Sequence, residues 1–340
     1  MSFIAFDCEG PLTLNDNAFE FTAQIVPKGD YFFTQISRFD DYLADIKRRQ
    51  GYKAGDTLKL ILPFLRLFGA TNELLEEFSE RTLLFLRGIP EVLTKIHKDV
   101  PIFIISTSYK PYLIALSKKL NFPLSQIFCT EVDLNTVTLS GEERKALEGF
   151  YREIISFPPI ALPKDAKSSE DLDTDQRRVL DRLEEIFFEH IWNFDCGVFL
   201  REVNPIGGEE KARACVEISE RVGVPLREGF YCGDSITDVQ ALGLLKVEGG
   251  VSLAFNGNRY ALRSAEFYAL ADHGYIFEDL VRVFLAKGVA GLRDMGVNVV
   301  RNAFEFGKIP PEGSSKFYKL VEKSEAFRKK IRGEAIGALG

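Results

Sequence analysis

Phe6-Asp7-Cys8-Glu9-Gly10-Pro11-Leu12-Thr13 is the stretch that decides the fold, because an apolar run ends there in two acids and a sharp turn. The residues from Phe3 to Phe6 are of the apolar and aromatic types that favour β-strands. An apolar run without alternation is typical of a parallel strand covered on both faces. Asp7 and Glu9 are therefore predicted at the carboxyl end of a buried strand. An ordinary polar strand end followed by a turn would give the same local pattern.

Four more runs share this character, and they are Ile102 to Ile105, Ile127 to Val132, Gly229 to Cys232 and Val251 to Phe255. Segments with helical spacing separate them, namely Pro90 to Lys98, Pro111 to Leu120, Gly208 to Val222 and Thr237 to Leu245. This alternation predicts an α/β fold with a doubly wound parallel sheet. Ligands of such sheets bind beyond the carboxyl ends of the strands.

The predicted core consists of residues 1–13, 88–140 and 200–285. Residues 14–87 are predicted to form a helical cap, and residues 141–199 a second, mainly helical insert. Both inserts lie between core strands, where a lid over a site would be attached. Residues 286–340 are predicted to form a helical C-terminal tail, whose last part is basic and expected to be solvated.

The composition restricts the class of protein. Of the 340 residues, 46% are hydrophobic and 27% charged, which is ordinary for a soluble globular chain. The net charge of -7 argues against nucleic-acid binding, which rests on clustered positive charge. The five cysteines form no C-x-x-C pair, so reduced thiols are expected rather than disulfides or zinc. Without a charged leader or a bilayer-length apolar stretch, we expect a cytoplasmic protein with no membrane span.

Hydroxyl side chains follow the second predicted strand, in Ile104-Ile105-Ser106-Thr107-Ser108. A hydroxyl at a strand end can donate a hydrogen bond to a phosphoryl oxygen without adding charge. The alternative is that Ser106 or Thr107 caps the helix that follows.

Lys211 occupies an unusual position on a predicted helix. The apolar residues that follow it are Ala214, Cys215, Ile218 and Val222, which share its face of the helix. A lysine is rarely placed on a buried stripe unless it meets an anion. We therefore expect its ammonium group to face the strand ends, the alternative being that it snorkels past the helix end.

Two more acids follow a buried strand in Phe230-Tyr231-Cys232-Gly233-Asp234-Ser235-Ile236-Thr237-Asp238. Asp238 is also explained as a first-turn acid favoured by the helix dipole. If the sheet aligns these strand ends, Asp7, Asp234 and Asp238 are neighbours and repel each other unless cations lie among them. Lys211 supplies one positive charge, and Mg2+, which prefers oxygen ligands, would supply the rest. This combination suits a dianionic phosphoryl group.

These four elements, in this order, resemble the signature motifs of the haloacid dehalogenase (HAD) superfamily of phosphatases and phosphotransferases. The resemblance covers residues 1–13, 88–140 and 200–275 and leaves the inserts and the tail uncovered. Pro205-Ile206-Gly207-Gly208-Glu209-Glu210-Lys211 and Ala254-Phe255-Asn256-Gly257-Asn258 resemble the phosphoserine phosphatase-like branch. The layout of the whole chain also resembles an archaeal HAD-like group labelled as a subunit of energy-converting hydrogenase.

The resemblance implies that Asp7 is a nucleophile that forms an aspartyl-phosphate. Glu9 stands where the family usually has a second Asp, which protonates the leaving group and then activates water. Ser106 would bind the phosphoryl group, with Thr107 as the fallback if the register is shifted by one residue. Lys211 would neutralise the charge of the nucleophile and the phosphoryl group.

The resemblance also implies the ligands of the metal. Mg2+ would be held by Asp7, Asp234 and the backbone carbonyl of Glu9, while Asp238 would support the metal or its waters. The helical cap after the first motif would select the substrate.

The leading functional hypothesis is a Mg2+-dependent phosphatase acting on a small, soluble phosphorylated metabolite, with a phosphotransferase or mutase as a related alternative. The alternative from a different class is a HAD-fold accessory subunit that binds a protein partner through its helical inserts and turns over poorly. The extra methylene of Glu9 supports that alternative, because it displaces the acid by about one bond length. The presence of Asp7, Lys211, Asp234 and Asp238 favours phosphoryl transfer.

Overall fold

The computed structural model describes residues 2–163, 166–295 and 304–339. These residues form a sheet with the order β3-β2-β1-β4-β5-β6-β7. The strands are β1 Phe3–Phe6, β2 Ile102–Tyr109, β3 Ile127–Thr130, β4 Gly229–Gly233, β5 Val251–Phe255, β6 Phe267–Leu270 and β7 Glu305–Lys308. Neighbouring strands from β3 to β6 are parallel, and β7 is antiparallel to β6.

The register brings the carboxyl ends of β1, β2 and β4 to one edge of the sheet. Phe6, the last residue of β1, pairs with Ile104 in β2 and with Cys232 in β4. The backbone N–H of Asp7 continues this ladder by donating to the carbonyl of Cys232 over 2.8 Å. The residues that follow these strands therefore lie side by side.

The helices comprise α1 Asn17–Ile25, α2 Gly29–Asp41, α3 Thr57–Leu67, α4 Asn72–Thr82, α5 Ile89–Ile96, α6 Lys110–Leu120, α7 Gly141–Ile154, α8 Thr174–Glu184, α9 Val198–Glu202, α10 Glu209–Val222, α11 Val239–Glu248, α12 Arg259–Ser264, α13 Tyr275–Asp294, α14 Ser315–Arg332 and α15 Glu334–Gly337. Short π-helical turns continue α2 and α8. No helix among the described residues is long and apolar enough to cross a membrane.

Successive residues of β1 face opposite sides of the sheet, as the strand geometry requires. Ile4 and Phe6 belong to the apolar core that contains α5, α6 and α13. Phe3 and Ala5 belong to the core on the other face, which contains α10, α11, α12 and α14. Helices thus cover both faces, and the predicted α/β class with a doubly wound, mostly parallel sheet is confirmed.

The two inserts pack together into one helical layer with a shared apolar core. The ring of Phe32 lies 4.9 Å from Phe64 in the first insert and 5.8 Å from Tyr151 in the second. Phe187 of the second insert stacks on Phe39 of the first at 5.8 Å. The two separately predicted inserts therefore form a single unit, which we call the cap. The positions of the predicted domain boundaries stay a prediction.

The tail differs from the prediction of a helical segment whose last, basic part is solvated. It contributes β7, which pairs with β6 at the sheet edge. On α14, Phe317, Val321, Ser324 and Arg328 form a buried stripe against the core. The basic composition of α14 concealed this stripe, since the charges on its outer face dominate the average.

Candidate active site

Asp7, at the end of β1, is held by a buried lysine. The ammonium group of Lys211, on the first turn of α10, lies 2.9 Å from Oδ1 of Asp7 and 2.7 Å from Oδ1 of Asp238. The side chain of Lys211 is 1% exposed, which excludes snorkelling past the helix end. The ammonium group of Lys211 thus lies between two carboxylates at the strand ends, as its position on the helix predicted.

The loop after β4 is organised around Asp238. Its Oδ2 accepts hydrogen bonds from the backbone N–H groups of Asp234 at 2.9 Å and Ser235 at 3.0 Å. Its Oδ1 accepts from Lys211 and, at 2.6 Å, from the hydroxyl of Tyr231. A side chain at Gly233 would meet Asp238, since a Cβ there would lie 2.3 Å from the carboxyl carbon. Asp238 is thus both a turn-forming acid and a member of the charged group.

Burial and neighbouring charges shift the pKa values of Asp7 and Asp238 in opposite directions. Burial, followed by the charge of Asp238, raises the pKa of Asp7 from 3.8 to about 8, although Lys211 lowers it. Although burial acts in the opposite direction, Lys211 and the hydrogen bonds from Tyr231 and Asp234 hold the pKa of Asp238 below its ordinary value. Asp238 therefore keeps its charge more readily than Asp7, and further positive charge beside Asp7 would favour its ionised form.

Asp234 faces two cations that come from the C-terminal tail. Arg328 donates to Oδ2 of Asp234, and Arg332 lies 3.3 Å from the same oxygen. Gly10 lies against this carboxylate. The φ angle of Gly10 is +109°, and a Cβ at this position would lie 2.0 Å from Oδ2 of Asp234. Only glycine fits both the backbone conformation and the space.

Ser106 and Thr107 lie inside β2 rather than after it. The pairing of β2 with β3 is irregular between Ile105 and Tyr109, and such bulges often redirect side chains next to a site. Tyr109 precedes α6 without a side-chain cap, so the alternative that Ser106 or Thr107 caps this helix is wrong. The hydroxyl oxygen of Ser106 accepts from the N–H of Ser108 at 3.2 Å.

The hydroxyl of Thr107 has a different partner. It donates to the carbonyl of Ile206 at 3.0 Å, which ties β2 to the segment leading into α10. Because Thr107 already uses its hydrogen, Ser106 is the better placed donor to a ligand.

Glu9 reaches away from the three aspartates towards the start of the cap. Its Oε1 accepts from the backbone N–H of Asn17, the first residue of α1, at 2.7 Å. Burial, followed by the charge of Asp16, raises the pKa of Glu9 well above 4.5, against the lowering effects of Asn17, Ser108 and Arg332. The Glu9 carboxyl group therefore favours its protonated form.

Several of these groups, among them Asp7, Glu9 and Asp234, line a small cavity of about 100 Å³. The core side contributes Asp7, Glu9, Ser106, Thr107, Ser108 and Asp234 through Thr237. The cap contributes Asp16, Phe33, Ser37, Asp40, Asp41, Gly55, Thr57 and Leu58, and the tail contributes Arg328, Arg332 and Leu339. Pockets for drug-sized ligands are several times larger, at roughly 300–1,000 Å³. The cap is therefore closed over a space that suits a small ligand.

The donor set fits a hard divalent ion. One carboxylate oxygen from each of Asp7, Asp234 and Asp238 lies within 4.8 Å of the others. Carboxylate oxygens are the ligands that Mg2+ prefers. The carboxylate of Glu9 is engaged at Asn17, so a contribution of Glu9 to the metal rests on its backbone carbonyl.

The sequence motifs did not identify Arg328 and Arg332 as site residues. A usable signal exists, because Arg328 follows Phe317, Val321 and Ser324 on one face of α14. A basic residue on a buried stripe is the same signal that selected Lys211.

No protein-family model matches this chain, and no curated protein matches it. The structure of gene product AF1437 from Archaeoglobus fulgidus is 27% identical, covers 100% of this chain and 99% of its own, and has a TM-score of 0.83. This likeness extends through both inserts and the tail.

Hydrolases of the HAD superfamily are also among the solved structures that resemble this chain, as the motifs predicted. A substrate-bound phosphoserine phosphatase is 13% identical over 83% of this chain and 97% of its own, with a TM-score of 0.49. A HAD-superfamily hydrolase of subfamily IA from Geobacter sulfurreducens is 12% identical over 83% of this chain and 96% of its own, with a TM-score of 0.37. At such identities the likeness is one of fold.

Proposed function

We propose that this protein is a Mg2+-dependent hydrolase of a small phosphomonoester, with Asp7 as the nucleophile. The observation that carries the proposal is the position of Asp7, which Lys211 holds at 2.9 Å beside Asp234, Asp238 and the cavity under the cap. Asp7 and Asp234 line this cavity, and Lys211 contacts Asp7 next to it.

The proposed reaction has two displacements at phosphorus. In the first, an oxygen of Asp7 forms a bond to phosphorus as the bond to the leaving-group oxygen breaks. Glu9 donates its proton to that oxygen, so the product leaves as an alcohol. In the second, water attacks the phosphorus of the aspartyl-phosphate and gives its proton to Glu9. Inorganic phosphate leaves, and the carboxylate of Asp7 is restored.

Other residues would bind the phosphoryl group. Lys211 already contacts the carboxylates of Asp7 and Asp238. It would also offset the negative charge of the phosphoryl oxygens. The oxygen of Ser106 accepts a backbone N–H, which leaves its own hydrogen available for a phosphoryl oxygen. Asp7, Asp234 and the carbonyl of Glu9 would hold Mg2+, with Asp238 in support, and the ion would supply positive charge to the phosphoryl oxygens.

The position of Glu9 and its protonation state both support its proposed role as the general acid. It lines the cavity with Asp7, and burial favours its protonated form, which an acid catalyst needs. The size of the cavity supports a small substrate.

The test is hydrolysis of p-nitrophenyl phosphate with and without Mg2+, comparing the parent with Asp7→Asn. We expect metal-dependent release of p-nitrophenol from the parent and a loss of at least about 10³-fold in the variant. Folding of both proteins is checked by circular dichroism. A folded parent without metal-dependent turnover would reject the proposal. A screen of phosphorylated metabolites then addresses the substrate.

One observation favours the second candidate, an accessory protein that binds a partner and turns over poorly. Glu9 is one methylene longer than aspartate and is bonded to Asn17 in the cap. The resemblance to the hydrogenase-subunit group also stays a prediction. A folded parent that is inactive on the metabolite screen, while purifying with a stoichiometric protein partner, would favour this candidate.

A further inference from the structure

Arg328 and Arg332 form a pair that the proposed reaction does not use. They lie four residues apart on α14, so their side chains share one face of the helix. Their side chains are 3% and 6% exposed. Two adjacent buried guanidinium groups require anions nearby, because burying an unpaired charge is costly.

Asp234 provides the anion that both arginines share. Both guanidinium contacts are made to Oδ2, which leaves Oδ1 for another cation. The backbone carbonyl of Asp234 also lies 3.4 Å from Nη1 of Arg328. The arginine pair and a metal would therefore share a single carboxylate.

The arginine pair changes the charge balance of the site. Lys211 pairs with Asp7 and Asp238, while Arg328 and Arg332 pair with Asp234. The three carboxylates are thus matched by three cations before a metal is counted. Mg2+ is therefore not the only source of positive charge besides Lys211, because Arg328 and Arg332 in the tail already supply it. A divalent ion at these carboxylates would meet the repulsion of the two guanidinium groups.

The hold of the tail on the site depends strongly on Asp234. Arg328 donates hydrogen bonds to Asp234, and its buried Nε has no partner among the described residues. Arg332 has additional partners, because it donates to the carbonyl of Leu14 at 3.3 Å and to that of Asn15. A cation that competes for Asp234 would therefore weaken the contact of Arg328 before that of Arg332.

We propose that Arg328 and Arg332 are a built-in counter-cation of Asp234, which competes with a divalent metal ion for this carboxylate. Docking of α14 lowers the affinity of the site for the metal, and metal binding loosens the last turns of α14. The inference rests on the metal site of the proposed function.

The first test measures the binding of Mg2+ and Mn2+ to the full chain by isothermal titration calorimetry. Arg328→Met removes a charge beside the site, and we expect it to tighten binding by roughly tenfold. Arg328→Lys keeps the charge and is expected to bind like the parent. Lys330→Met removes the same charge from an exposed position of the same helix and is the matched control. Unchanged or weaker binding by Arg328→Met would overturn the inference.

The second test follows hydrogen–deuterium exchange of α14 in the parent protein. Adding Mg2+ is expected to speed exchange in the last two turns of α14. Slower or unchanged exchange contradicts competition, because a pair that merely positions Asp234 would tighten when the metal binds. This readout needs no variant, so it holds even if Arg328→Met does not fold.

The outcomes separate the two proposals. Tighter metal binding by Arg328→Met without turnover that depends on Asp7 supports the counter-cation and rejects the hydrolase. Turnover that depends on Asp7, together with unchanged metal affinity in Arg328→Met, supports the hydrolase and rejects the counter-cation. No metal binding by any variant, Arg328→Met included, overturns the counter-cation.

Discussion

 The ammonium group of Lys211 lies 2.9 Å from Oδ1 of Asp7 and 2.7 Å from Oδ1 of Asp238. One buried ammonium group thus bridges two carboxylates that would otherwise repel each other. The contact joins the end of β1 to the first turn of α10, so it stabilises the fold and holds Asp7, the proposed nucleophile, in place.

Replacing Lys211 with methionine should therefore destabilise the protein. The substitution leaves Asp7 and Asp238 buried without their shared cation, and breaking such a pair costs about 3–5 kcal/mol. We expect the free energy of unfolding, measured by urea denaturation, to fall by an amount in this range. Added Mg2+ should restore part of it, because a metal ion supplies charge to the same carboxylates.

Arg213→Met is the matched control, because Arg213 lies on the same helix with a side chain that is 69% exposed. Exposed ion pairs contribute about 0–1 kcal/mol, so its effect should be small. Equal losses in the two variants would contradict the role given to Lys211.

Replacing Glu9 with glutamine should separate substrates by their leaving groups. Glutamine can still accept from the N–H of Asn17, so folding should be retained. It cannot donate an acidic proton, which matters most when the leaving group is a basic alkoxide. We expect hydrolysis of an alkyl phosphate to slow by roughly 10²–10⁴-fold, and that of p-nitrophenyl phosphate to slow much less. Steady-state rates on the two substrates measure the difference, and equal losses on both would contradict acid catalysis by Glu9.

The sequence predicted the sheet centre and the charged group because both depend on local patterns. Apolar runs that end in acids identified β1 and β4, and the helical spacing after Lys211 identified its buried face. β6 and β7 were not predicted, and in β7 three of the four residues, Glu305, Gly307 and Lys308, are of types that are depleted in strands.

The sequence could not predict which distant segments meet. Phe32 and Tyr151 lie in different inserts, and their contact depends on the packing of whole helices. Arg328 reaches Asp234 from 94 positions along the chain, a distance over which no local pattern extends. The position of Arg328 on the buried face of α14 indicates an unusual arginine, but it does not predict that Asp234 is its partner.

Replacing Ser106 or Thr107 should distinguish ligand binding from structure. Ser106→Ala removes a hydroxyl that faces the cavity, and we expect kcat/KM to fall by roughly 10- to 100-fold through one lost bond to a charged group. Thr107→Val removes the bond to the carbonyl of Ile206 and should cost about 1 kcal/mol of stability with little change in kcat/KM. Steady-state kinetics and urea denaturation measure the two effects. The opposite pattern would assign the phosphoryl contact to Thr107.

Asp40 in the cap should make the stability of the protein depend on pH. It is 4% exposed, and its carboxylate oxygens accept from the hydroxyl of Tyr52 at 2.7 Å and the N–H of Gly55 at 2.9 Å. Burial, followed by the charge of Asp56, raises the pKa of Asp40 from 3.8 to about 7. Between these two pH values the folded protein keeps a proton that the unfolded chain has lost. The contribution of Asp40 to stability therefore falls as pH rises from about 4 to about 7 and is constant above that.

Asp40→Asn should remove this dependence, because the amide stays neutral and can still bond to Gly55 and Tyr52. The stability of the variant relative to the parent should rise with pH, by at most about 4 kcal/mol at pH 8. Urea denaturation at about pH 5 and about pH 8 measures the change. Asp30→Asn, at an exposed position of the same helix, is the control for the loss of a charge. Parallel pH curves for the parent and Asp40→Asn would show that Asp40 is ionised in the folded protein throughout this range.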